Sequence, residues 1–342
     1  MDAELLAETD TCLPPQSLAG QRLCVAGATG TIGRAVVCEC AARGADVVAL
    51  VRDVGAAGQL GTLANVRLAE LDLTHETSLT QALQTAQPHT VISCIASRSG
   101  APRDAQAVDY KANSRLLSCA MAAGAKHFIM LSAICVQRPH LAFQHAKLRF
   151  EAELQAAAID HTIVRPTAFF KSLSGQIGRV AKGKPFLIFG DGELTRCKPI
   201  SDADLARFIA DCASDPEARG RILPIGGPGP AISLKEQGEL LFELAEREPQ
   251  FRSISPRLFD MAARVLSLGA PLSGWLAEKA EYARIAKYYA TQSMLLLDPA
   301  SGEYSAEATP EYGSDTLRDH YAQSLENMRL RELSDGSAPA TP

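Results

Sequence analysis

Arg22-Leu-Cys-Val-Ala-Gly27-Ala-Thr-Gly30-Thr-Ile-Gly33 decides how the chain is read. Arg22–Ala26 is a short apolar run, and three glycines follow it at a three-residue spacing. Behind them Ile32, Ala35, Val36 and Cys40 recur near helical spacing. A strand turning sharply through such glycines into a helix brings bare backbone against a pyrophosphate. The free N–H groups and positive end of the helix then hold the anion. The motif opens the first strand–helix–strand unit of the chain, which separates it from an ordinary tight turn. Gly27, Thr29, Gly30, Thr31, Ile32 and Gly33 are therefore the expected dinucleotide contacts.

The alternation continues outward. Asp46–Val51 reads as a strand buried on both faces. It is followed by a strand over 66–71, a helix over 76–86, a strand over 89–96, a helix over 105–123, a strand over 127–133, a helix over 142–157 and a strand over 161–165. Six strands alternating with helices specify an α/β fold, a doubly wound parallel sheet of Rossmann type. Pro166 breaks the rhythm, and a helix over 169–181, a strand over 186–189, a helix over 202–213 and a strand near 221–225 follow. From about residue 228 the pattern is mostly helical. The expected organisation is a nucleotide-binding core over 20–166 with contributions from about 195–226. A smaller, mostly helical substrate lobe, 167–194 and 227–331, would rest on the carboxyl edge of the sheet, with flexible tails at 1–19 and 332–342.

Arg52 ends the second strand nineteen residues after Gly33. A carboxylate at such a place holds a ribose 2′-hydroxyl, whereas a guanidinium suits a 2′-phosphate, so NADPH is the expected cofactor although Asp53 follows at once. Asp72, ending the third strand, is a candidate acceptor for the adenine amino group. Ala96, within the Cys94–Ser97 strand end, is placed beside a cofactor ribose. Gly178–Lys184 imitates a phosphate loop by spacing, but Pro185 stands where that loop needs Ser or Thr, so it is a turn.

With 34 Lys and Arg against 39 Asp and Glu the net charge is −5, which argues against a nucleic-acid partner. No run of eighteen apolar residues exists to span a membrane. The first 21 residues hold four acids and no Lys or Arg, unlike a secretory signal or a transit peptide. Nine cysteines lie scattered without a C-x-x-C pair. Together these features predict reduced thiols and a cytoplasmic protein. The histidines open strands or point apart on helices, so neither a metal nor a flavin is expected.

In short-chain dehydrogenase/reductases a Ser ends the fifth strand and a Tyr-x-x-x-Lys lies on the next helix. Here Ser132 and Lys147 occupy those places, but Phe143 stands four residues before the lysine. A benzyl ring cannot donate a proton, so carbonyl reduction by that route is closed. Lys147 can still hold the ribose hydroxyls. The chemistry left is hydride delivery to carbon, where the substrate itself spreads the charge and the protein orients it and excludes water.

Longer blocks carry a resemblance. Ser132–Gln137, Phe143–Leu148, Ile163–Leu173, Phe189–Gly192, Cys197–Ser201, Leu223–Gly229, Glu236–Glu239, Tyr288–Ala290 and Gly302–Ser305 resemble the divinyl chlorophyllide a 8-vinyl-reductases, atypical short-chain dehydrogenase/reductases. The resemblance spans roughly residues 22 to 320. It implies NADPH-dependent reduction of the 8-vinyl group of a divinyl chlorophyllide-type pigment to ethyl, in chlorophyll or bacteriochlorophyll synthesis. Plant members of that family carry transit peptides, so the acidic amino terminus implies a bacterial, phototrophic form, with peripheral contact to the photosynthetic membrane as an option. For such a flat apolar substrate the candidate contacts are Phe143, Phe169, Phe170 and Tyr289, with Lys171 for a propionate. Cys135, just past Ser132, joins Ser132 and Lys147 among the catalytic candidates as a proton donor, alongside Tyr288, Tyr289 or water. Two rival readings are a phenylpropanoid-type double-bond reductase and a non-catalytic NADP-sensing regulator or assembly factor.

Overall fold

A computed structural model describes residues 16–269 and 273–334. In chain order its elements begin with β1 (Arg22–Ala26), α1 (Thr31–Ala42), β2 (Asp46–Val51), β3 (Val66–Glu70), α2 (Glu76–Ala86), β4 (Thr90–Ser93) and α3 (Pro102–Ala105). A π-helical turn, Gln106–Ala112, joins α3 to α4 (Asn113–Ala122). Then come β5 (His127–Leu131), α5 (Ala142–Ala156), β6 (Asp160–Pro166), α6 (Phe170–Leu173), α7 (Ile177–Ala181), β7 (Phe186–Phe189), β8 (Arg196–Cys197), α8 (Asp202–Ser214) and β9 (Arg221–Ile225). The remainder is β10 (Ile232–Ser233), α9 (Leu234–Leu244), β11 (Phe251–Ile254), α10 (Arg257–Gly269), α11 (Gly274–Thr291), β12 (Leu296–Leu297), β13 (Tyr304–Ser305) and α12 (Leu317–Ser334).

The apolar runs are strands of one parallel sheet ordered β3-β2-β1-β4-β5-β6-β9. Val25 pairs in register with Ala49 on one side and Ile92 on the other. Both faces are covered, which is why these strands are apolar without alternation. Val36, Val37, Leu205 and Ile209 of α1 and α8 close one face. Leu79, Leu83, Leu116, Phe150 and Leu154 of α2, α4 and α5 close the other. Strand order reverses between β1 and β4, so a crevice opens at their carboxyl ends, the place where such sheets bind ligands.

Several boundaries shift. The strand expected over 89–96 is only Thr90–Ser93; the Cys94 N–H still donates to the Ala26 carbonyl at 2.9 Å, and the backbone beyond it is irregular. The helix expected over 169–181 breaks into α6, a 3₁₀ turn and α7. Most of the tails lies outside the described residues, but Leu18 is not tail-like: it is fully buried, and its N–H donates to the Arg43 carbonyl at 2.9 Å. Of the 195–226 stretch, α8 and β9 join the core, whereas β8 pairs with β10 beside the second lobe.

That lobe is built on β7 paired parallel with β11, around Phe170, Phe186, Leu241, Phe242 and Tyr321. It is tied back to the core at Asp204, a buried carboxylate of α8 that accepts the Ser314 and Asp315 N–H groups at 3.3 and 2.9 Å. No described helix is long and apolar enough to cross a membrane.

Candidate active site

At the first turn, Gly27 adopts φ +79°, and a Cβ there would lie 2.6 Å from the Cys94 carbonyl oxygen. A Cβ on Gly33 would lie 2.1 Å from the Gly27 carbonyl oxygen. Only glycine lets β1, α1 and β4 come this close. Gly30 is the N-cap of α1; no side chain caps the helix and no acid sits in its first turn. The opening amides of Thr31, Ile32 and Gly33 thus point out with the positive helix end behind them, a cradle that fits a dinucleotide pyrophosphate.

The carboxyl end of β2 carries Arg52 and Asp53. Asp53 Oδ1 accepts the Gly55 N–H at 2.8 Å, so that carboxylate is engaged in its own turn and Arg52 stands exposed beside it. Arg34, one turn into α1, donates to the Ala57 and Ala56 carbonyls at 2.9 and 3.1 Å and braces the same loop. Asp72 lies exposed at the end of β3, where the Thr74 amide at 2.8 Å holds its carboxyl below the usual range.

A cavity of about 530 Å³ opens at the carboxyl edge of the sheet. The ends of β4, β5 and β6 supply Cys94, Ile95, Ala96, Leu131, Ser132, Ala133, Thr167 and Phe169. The lobe supplies Leu173, Phe189, Ile232, Leu234, Tyr289 and Met294, and the wall is mostly apolar. Lys147, on the inner face of α5, reaches it from one side and Arg196 of β8 lines it too. The Lys147 ammonium is buried and lies 3.3 Å from Asp109 Oδ1, which also accepts the Ser97 N–H at 3.2 Å. Asp109 sits in the π-helical turn, a feature that re-aims side chains and recurs at functional sites. Its Oδ2 is buried with no hydrogen-bond partner.

Ser132 lines the cavity, but its hydroxyl donates to the buried Glu151, which Arg165 Nε meets from the other side at 3.2 Å. Its proton is committed inward, leaving Ser132 to present lone pairs to a ligand. Cys135 lines the cavity as well; burial pushes its thiol up, and its carbonyl accepts the Gln144 amide at 3.0 Å and the Tyr288 hydroxyl at 2.8 Å. Tyr289, 45% exposed overall, lines the cavity beside the Cys135 sulfur.

Three substrate contacts expected from the sequence lie elsewhere. Phe143 does not line the cavity; it packs beside Gly100 and in the cluster of Ile134, Leu141 and Ile285. Phe170 is buried in the lobe core, its ring 5.3 Å from that of His320, because α6 turns it away from the adjacent Phe169. Lys171 reaches back across the crevice, and its Nζ donates to Thr31 Oγ1 at 2.7 Å, at the mouth of the phosphate cradle. It faces Asp202, whose carboxyl burial raises and this lysine lowers. Asp109, Glu151, Arg165 and Arg196 were missed. The signal for Asp109 was there: it shares a buried stripe with Ala105, Ala112 and Leu116, a charge where the pattern calls for an apolar residue.

A glycine cradle, a buried lysine in the cavity wall and an apolar cavity define a nicotinamide-dependent oxidoreductase on a Rossmann sheet, and residues 27–216, over half of the chain, match the NAD(P)H-binding family. In fold it is similar to the Escherichia coli NADPH-dependent quinone oxidoreductase QOR2 complexed with NADPH, with a TM-score of 0.65, 19% identity, and 90% and 99% of the two chains covered. The chain belongs to the divinyl chlorophyllide a 8-vinyl-reductase family. It is 48% identical to the chloroplastic protein of that name from Oryza sativa subsp. indica over 325 residues, covering 91% of this chain and 80% of the relative. The Photosystem II assembly factor Ycf39 of Guillardia theta is more distant, at 30% identity over 66% of this chain and 69% of its own length. These relationships correct the localisation read from the acidic amino terminus. The relatives from Oryza sativa subsp. indica, Zea mays, Arabidopsis thaliana and Cucumis sativus are chloroplastic proteins, so the expectation of a bacterial cytoplasmic form does not stand.

Proposed function

We propose that this chain uses NADPH to reduce the 8-vinyl group of divinyl chlorophyllide a to ethyl, in chlorophyll biosynthesis. Family membership supplies the reaction. The observation that carries it here is the mostly apolar cavity at the carboxyl edge of the sheet, with Lys147 in its wall and Phe143 where a carbonyl reductase would hold a tyrosine. NADPH supplies the hydride when bound. A vinyl group conjugated to a macrocycle accepts it at the terminal carbon, because the resulting charge spreads into the ring. The residues of the chain then have three tasks: orient two planar rings, exclude water, and bring one proton.

Phe169, Phe189, Ile232 and Met294 offer the macrocycle an apolar seat. Arg196, held at 3.1 Å by Glu236, is the cation of the lobe wall suited to a propionate. Lys147 holds the ribose hydroxyls and keeps a positive charge where negative charge develops, and Asp109 fixes it there. Lys171 belongs with the cofactor phosphates. Lys171→Ala is accordingly expected to weaken NADPH binding about tenfold, the worth of one charge-assisted hydrogen bond. Cofactor fluorescence titration reads this; a raised pigment KM with unchanged NADPH affinity would return the lysine to the substrate.

For the proton, Cys135→Ala is expected to keep at least about a tenth of turnover, because a thiol raised by burial is a poor acid. A fall beyond about a thousandfold with NADPH binding intact would convict the thiol. The overall reading is tested by incubating the purified protein with NADPH and divinyl chlorophyllide and following the Soret band. A shift to the monovinyl position is expected; tight NADPH binding without a shift would favour the non-catalytic sensor.

A further inference from the structure

The hairpin of α10 and α11 leaves an apolar stripe uncovered. Only Ala263 of α10 is buried, while Leu258, Met261, Val265 and Leu268 are 51, 59, 62 and 82% exposed. Their spacing of three, four and three residues sets them on one face of the helix. Trp275, 62% exposed in the first turn of α11, stands near that end of the stripe, since its neighbour Leu276 lies against Gly269 of α10. Single exposed apolar residues are normal, but a contiguous set of this size marks an interaction surface.

The charges beside the stripe point to the partner. Asp260 is held by Lys287 at 2.6 Å, and Glu281 is buried against Arg284 at 3.0 Å and the Ala142 amide at 3.0 Å. Arg257, Arg264 and Lys279 remain exposed, with Glu278 the sole exposed acid among the described hairpin residues. The Lys279 ammonium lies over the Trp275 and Tyr282 rings, 5.7 and 5.4 Å from their centroids. The hairpin carries five Lys and Arg against three acids; Glu281 is buried and Asp260 is paired with Lys287, which leaves a basic, aromatic, aliphatic face.

We propose that this hairpin docks the protein on an anionic lipid bilayer, with Val265, Leu268 and Trp275 in the headgroup layer and Arg257, Arg264 and Lys279 over lipid phosphates. Aliphatic and Trp side chains beside basic ones match what interfacial helices use. A two-fold contact with a second copy would set the same cations against each other, so an anionic surface is the better complement. The opposite end of α11 places Tyr289 in the cavity wall, and Phe259 of α10 rests 5.6 Å from the cavity-lining Phe189. Trp275 and Tyr289 are about 21 Å apart along one helix, so the lipid surface and the cavity lie at its two ends.

The docking surface stands apart from the catalytic reading, and its test needs no pigment. Trp275 is the only tryptophan of the chain, so intrinsic Trp emission reports this face alone. Vesicles of phosphatidylcholine with roughly one third phosphatidylglycerol are expected to co-sediment the protein and shift its emission to the blue, and pure phosphatidylcholine vesicles to do so weakly. Arg264→Glu is expected to weaken vesicle binding at least about fivefold. Val265→Glu/Leu268→Glu is expected to abolish the shift, with NADPH affinity unchanged in both variants. Unshifted emission with charged vesicles, binding that ignores lipid charge, or wild-type binding by the double variant would each overturn the proposal. A blue shift that grows with protein concentration in the absence of lipid would assign the face to a second copy instead.

Discussion

Lys147→Met is expected to lower kcat/KM for the pigment by roughly a thousandfold, the scale on which a preorganised charge at the reacting group acts. The lysine and Asp109 are both buried, and breaking such a pair leaves an uncompensated charge inside the protein. Asp109→Leu alone is therefore expected to reduce stability by about 3–5 kcal/mol, measured by denaturant unfolding. Asp109→Leu/Lys147→Met removes both charges and is expected to recover most of that stability while staying inactive. This combination separates a pair kept for the reaction from one kept for the fold. Activity above about a tenth of wild type in Lys147→Met, or a double variant as unstable as Asp109→Leu, would remove the pair from the mechanism.

The second large effect falls on the glycine cradle. Gly33→Ala forces a Cβ to 2.1 Å from the Gly27 carbonyl oxygen, so β1 and α1 must part. A lower Tm and loss of NADPH binding by at least about a hundredfold are expected together. Gly30→Ala is the informative partner. Its φ of −71° suits any residue, and the nearest atom to its Cβ is the Gly27 oxygen at 3.2 Å. The fold should survive, while the methyl group stands where the pyrophosphate approaches. Calorimetric titration is expected to show an intact protein with NADPH binding weakened at least about thirtyfold; affinity within about threefold of wild type would move the phosphates elsewhere.

The nucleotide half of the molecule was legible because its signals are local. Arg22–Gly33 names a strand, a turn and a helix within twelve residues, and the apolar runs that follow can lie only inside a two-sided sheet. Side-chain direction was less legible. Phe169 and Phe170 are adjacent, yet one faces the cavity and the other the lobe core, and only the short turn of α6 decides which. Lys171 was recognised as a cation near a ligand, but its target depends on a crossing of 140 residues to Thr31. The Asp109–Lys147 and Ser132–Glu151–Arg165 contacts join helices and strands distant in the chain, and no spacing rule announces them.

The cavity wall holds three thiols, Cys94, Cys135 and Cys197. Burial pushes Cys94 and Cys197 up to about 12 and raises Cys135 as well. At neutral pH these thiols stay protonated and so are weak nucleophiles. Sulfur in this enclosure is therefore a soft, polarisable packing material that electrophiles and peroxides attack only slowly.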